Sequence, residues 1–124
     1  MLASLLIAAA FAAEQPSEEM NAAAAYVQSN YLPVIFAACK QHAPRRAAEF
    51  DQALERWEKA NKKIVAYGEQ VSRAQAKAQG MELEAMIAQS LADLRNDMAG
   101  KTPEEMNAGC ANALQSAWAE SQPK

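Results

Sequence analysis

The chain has 124 residues, 22% of them charged, and a formal net charge of -3. That is one domain's length, with too little net charge to draw nucleic acid or an anionic membrane by charge alone. Alanine occurs 30 times, while Val, Ile and Thr together occur nine times, so residues suited to pleated sheets are scarce and an all-α fold is expected. The charge is unevenly placed. Lys40 to Gly80 holds nine basic and five acidic residues, the stretch before it three acids and no base, and the stretch after it seven acids and three bases. A basic middle between acidic flanks reads either as helices compensating one another inside a bundle or as a face for an acidic partner.

Leu2 to Phe11 is apolar but for Ser4 and runs into Ala10-Phe11-Ala12, a small-x-small pattern. This predicts a cleaved signal peptide over residues 1–12, a single helical domain over 13–124, and export to the periplasm. No Lys or Arg precedes the apolar run, so the amino terminus alone supplies the positive end. The run is shorter than the ~20 residues a membrane span needs, and no cysteine follows the cleavage pattern, so no stable membrane anchor is expected.

Pro16-Ser17-Glu18-Glu19 is a helix start, with Ser17 as the cap and two carboxylates at the positive end of the helix dipole. The first helix is predicted over 18–29, broken at 30–33 because proline cannot donate in a helix interior. A second short helix is predicted over 33–41, ending before Pro44. The third and longest covers 45–79, where Phe50, Leu54, Trp57, Asn61, Ile64, Gly68 and Val71 recur at steps of four and three. Gly80 ends it. A fourth helix spans 81–99 with Leu83, Ile87, Leu91, Leu94 and Met98 on one stripe, and Gly100 follows. Thr102-Pro103-Glu104-Glu105 is a capping box opening a fifth helix that runs to about Glu120. Short connections favour antiparallel neighbours, so a compact antiparallel four- to five-helix bundle is predicted.

Cys39 and Cys110 have no metal-type spacing. In an oxidising compartment they read as one disulfide closing a loop of about 70 residues, worth up to about 4 kcal/mol on the chain-entropy model; the alternative is free thiols. His42 is the lone histidine. It has no HExxH companion, no second imidazole and no nucleophile elbow, so no catalytic residue, metal site or cofactor is assigned, and a surface or capping role fits it better. Haem held between His42 and one of the methionines is a weaker expectation than methionines filling core gaps. Asn61 on the apolar seam reads as a register-fixing hydrogen bond, or, with Gly68, as the border of an open groove. Trp57 reads as a core anchor and Tyr67 as either core or contact. Tyr26, Tyr31 and Trp118, nearer predicted helix ends, are interface candidates beside the cations Arg56, Lys59, Lys63 and Arg73.

Cys39, Pro44, Phe50, Leu54, Trp57 and Asn61, with Cys110 late in the chain, resemble a loose pattern in small exported helical proteins of Gram-negative bacteria. Some of these are periplasmic immunity proteins that neutralise antibacterial effectors. The resemblance implies a non-enzymatic protein-binding module whose partner is a secreted effector or hydrolase, with the basic helix steering association and aromatics anchoring it. The alternative is a periplasmic stress chaperone holding unfolded clients on an apolar face.

Overall fold

The computed structural model describes residues 17–123, so the expected signal peptide lies outside the described residues. Five α-helices and one 3-10 turn follow in order: α1 Glu18–His42, the turn Pro44–Arg46, α2 Ala47–Ala60, α3 Lys62–Ala78, α4 Leu83–Ala99 and α5 Pro103–Ala119. No strand occurs among the described residues. The helical bundle expected from composition is the fold.

Two predicted boundaries are corrected. The break at 30–33 does not occur, and α1 runs straight through Pro33. Pro33 leaves the helix without one donor, and the polar residues before it bond back up the helix instead of capping it. Ser29 Oγ donates to the Tyr26 carbonyl at 2.6 Å and Asn30 Nδ2 donates to the same carbonyl at 2.9 Å. Continuing the helix buries Leu32, Phe36 and Cys39 together. Each large apolar side chain buried is worth about 1.5–3 kcal/mol, against about 3 kcal/mol for one interior proline. Packing therefore outweighs the local rule.

The second correction falls at Asn61. The single helix predicted over 45–79 is two segments, preceded by the turn at 44–46. Asn61 sits at φ -110° and ψ 10°, away from helical values. Its amide still donates to the Trp57 carbonyl at 3.0 Å, and its own carbonyl accepts from Val65 N at 2.9 Å. Its side-chain Nδ2 donates to the Trp57 carbonyl too, at 2.9 Å. A side chain inserted into the backbone ladder is an established cause of a kink.

The other ends match their sequence signals. Ser17 Oγ accepts from Met20 N at 3.1 Å, Gly80 takes φ 67° after α3, and Thr102 and Glu105 form the reciprocal capping box. Thr102 N donates to the Glu105 carboxylate, and this bond is the main reason the Glu105 pKa lies below the ordinary glutamate value.

Helix α1 is central and packs against every other helix. Antiparallel α2 meets it through the Phe36 and Phe50 rings, 5.7 Å apart, and through Lys40 and Asp51 at 2.8 Å. Antiparallel α5 is joined by the Cys39–Cys110 disulfide, whose Cα atoms are 5.8 Å apart. The main core is built from α1, α2 and α5: Leu32, Phe36, Cys39, Phe50, Ala53, Trp57, Cys110, Leu114 and Ala117. By contrast α4 buries Leu83 alone.

Candidate functional site

The kink at Asn61 organises the surface around it. Trp57, 1% exposed, donates from Nε1 to the Glu120 carboxylate at 2.7 Å. Gln28 on α1 donates to the same oxygen at 2.6 Å. Asn61 Nδ2, already on the Trp57 carbonyl, also reaches the Glu120 carbonyl at 3.2 Å. One carboxylate and one amide thus tie α1, the α2–α3 kink and the end of α5. Of the two expectations for Asn61, the structural hydrogen bond describes what it does: a buried amide that finds its partners.

Beside this knot lies an open depression of about 720 Å³ lined by Asn21, Ala25, Lys63, Ile64 and Tyr67, among others, with Trp57 and Asn61 at its floor. Tyr67 is 40% exposed. The Arg56 guanidinium lies 4.3 Å from the centre of the Trp118 ring, a stacked cation–π pair. Lys59 is held loosely by Glu55 at 3.4 Å on the exposed surface of α2, whereas Lys63 has no carboxylate within 4.0 Å among the described residues. Arg56, Lys59, Lys63 and Trp118 therefore gather around the kink.

Three expected positions lie elsewhere. Arg73 bonds to Glu69 at 3.0 Å and to Glu84 at 2.7 Å, fastening α3 to α4. The hydrogen bond to Arg73 is the main reason the Glu84 pKa lies below the ordinary glutamate value. Its charge is thus committed internally. Tyr26 and Tyr31 are not near helix ends, because α1 continues past them. Both are half-buried along a cleft of about 310 Å³ between α1, α3 and α4, with Val27, Leu83, Met86 and Ile87. The groove proposed to run from Asn61 to Gly68 does not reach Gly68. There α3 presses on α1 so closely that a methyl group on Gly68 would overlap the Ala22 carbonyl.

The methionines are likewise not mainly core residues: Met20, Met81 and Met86 are exposed. Met98 and Met106 are half-buried at the far end of the molecule, where they share an open trough of about 740 Å³ with His42. His42, the last residue of α1, bonds through Nε2 to Asn107 Oδ1 at 2.6 Å. Among the described residues no group of three or more His, Cys, Asp or Glu is placed to hold a metal ion, and no helix is long and apolar enough to cross a membrane.

Glu120 is the site residue that sequence reasoning overlooked. A carboxylate just past the C-terminal end of a helix opposes the dipole, and that local misfit was the signal that tertiary partners hold it. No family model, no curated protein and no solved structure matches the chain.

Proposed function

We propose that the chain is an exported, non-enzymatic module of the periplasm that binds another protein, acting as an immunity protein or inhibitor toward a secreted effector or hydrolase. The observation that carries this reading is the kink face. Lys63 and the exposed Tyr67 line a depression that also carries Glu18 and whose floor is fixed by the Asn61–Trp57–Glu120 knot, while Arg56 stacks on the half-buried Trp118 ring beside the kink. Rigid aromatics framed by charge are the composition of binding hot spots, and a floor that does not reorganise limits the entropy lost on association. Lys63 and Arg56 supply steering toward an acidic surface.

The test is a pull-down of the mature protein, disulfide intact, from periplasmic and culture-supernatant fractions, with mass spectrometry of the eluate. One stoichiometric partner is expected, with retention reduced at least tenfold by Lys63→Glu combined with Tyr67→Ala. An eluate that is empty at every salt concentration would overturn the reading. A second reading, a chaperone, draws on α4, which buries one side chain and leaves Met86 exposed beside the tyrosine cleft. A broad set of substoichiometric unfolded proteins in the same eluate would favour it.

A further inference from the structure

We infer that His42, Met98 and Met106 form a binding site for a soft monovalent metal ion, Cu(I). The three side chains come from the ends of three helices: the last residue of α1, the last full turn of α4 and the first turns of α5. All three line one trough. Met98 and Met106 also line a second, smaller cavity of about 170 Å³ that reaches the disulfide, so both belong to the wall between the two spaces. The bond from His42 to Asn107 ties the end of α1 to the turn of α5 that carries Met106.

The donor set selects the metal. Among the described residues no carboxylate lines the trough, whose wall is otherwise largely apolar with Gln41 and Arg95 as its further polar groups. Hard cations such as Mg2+ and Ca2+ need several oxygen ligands, which this wall does not offer. Two thioethers and an imidazole suit Cu(I), because soft ligands stabilise the reduced, polarisable ion. With Asn107 Oδ1 accepting from Nε2–H, the Nδ1 lone pair is left to bind metal, the arrangement in which an outer partner fixes a ligating histidine's tautomer. All three residues are half-buried along the open trough and reachable by a small ion. Arg95 on the same wall is exposed, and its long flexible stem allows the guanidinium to lie in solvent away from a bound cation. This site is independent of the kink face.

The experiment is a Cu(I) titration in ascorbate against the chromophoric chelator bicinchoninate, with thiol titration confirming that the disulfide stays closed. One equivalent of Cu(I) is expected to transfer to the protein. Met98→Leu with Met106→Leu should weaken binding at least 100-fold and His42→Gln at least tenfold, while Met20→Leu with Met81→Leu should leave it unchanged. Leucine conserves methionine's volume, and circular dichroism checks that each variant is folded. X-ray absorption of the loaded protein should show sulfur scatterers together with nitrogen. Retained affinity in the double Met98/Met106 variant would overturn the site, as would a spectrum with nitrogen and oxygen neighbours alone or displacement by a tenfold excess of Zn2+. A Soret band on titration with haemin that depends on His42 and Met98 would also overturn it, reassigning the trough to haem.

Discussion

The half of the molecule made from α2, α5 and the second part of α1 is held in three ways at once: by the disulfide, by the shared apolar core and by the knot at Glu120. The half around α4 is held by Leu83 and by the exposed Arg73–Glu84 pair, with cavities on either side of the helix. Each half carries a 17-residue helix with a comparable apolar stripe, α5 in the first and α4 in the second. A stripe is therefore not a core. What separates the halves is bulk at the contact: Phe36, Phe50 and Trp57 fill the first, whereas α1 presents Ala23, Ala37 and Ala38 toward the spaces beside α4. Small residues on one side of an interface leave room that the other side does not fill.

The largest expected effect tests that contrast directly. Trp57→Ala removes a buried ring and one of the two donors to the Glu120 carboxylate, and should lower unfolding free energy by about 3–5 kcal/mol. Leu91→Ala in α4, half-buried, should lower it by under about 1.5 kcal/mol. Equal shifts in denaturant midpoint would erase the distinction between the halves. Next comes the cross-link. Replacing Cys39 and Cys110 together by alanine should remove about 2–4 kcal/mol, measured by the same denaturation curves against the oxidised parent. Gly68→Ala follows at about 1–3 kcal/mol, since the added methyl forces α3 off α1 and overpacking strains both backbones; its melting temperature should fall where an exposed Gly109→Ala control does not. The control site has open space around it.

The smallest effect is pH-dependent and belongs to the weaker half. Arg73 holds the Glu84 pKa below its unfolded-chain value. The pair's contribution is thus present at neutral pH and is lost as pH falls below about 4.3 and through the folded value. The melting-temperature difference between the parent and Glu84→Gln should shrink toward zero between pH 6 and pH 3. A difference constant across that range would mean the pair does not fasten α4. Glu49, lowered mainly by its bond to Arg46, follows the same sign without touching α4.

How much of this was legible in the chain divides along physical lines. Caps are local chemistry, so Ser17, Thr102 and Glu105 announced their helices, and Gly80 its turn. Scarcity of β-formers and recurring apolar stripes were sufficient for the bundle, and an even cysteine pair for the cross-link. Pro33 misled because its local penalty is smaller than the burial gained by Leu32, Phe36 and Cys39, a sum visible only in three dimensions. Asn61 was legible as a buried amide needing partners, yet the partners lie at Trp57 and at Glu120, 59 residues further on. The basic middle was legible as composition. Its division into a committed Arg73 and an available Lys63 was not, because that depends on which carboxylates α4 and the kink bring near.

The Cys39–Cys110 bond turns residues 39–110 into a covalent ring with α2, α3 and α4 on its circumference. A helix that leaves its seat inside a ring remains leashed on both sides, so re-seating proceeds at a local concentration set by the connecting turns and not by the amount of protein present. The exposed turn between α4 and α5, which carries Lys101, adds a second consequence. A tryptic cut after Lys101 separates Cys39 from Cys110 along the backbone but not through sulfur. The nicked molecule should migrate as one band without reductant and as two with it, its severed last helix still docked against the core.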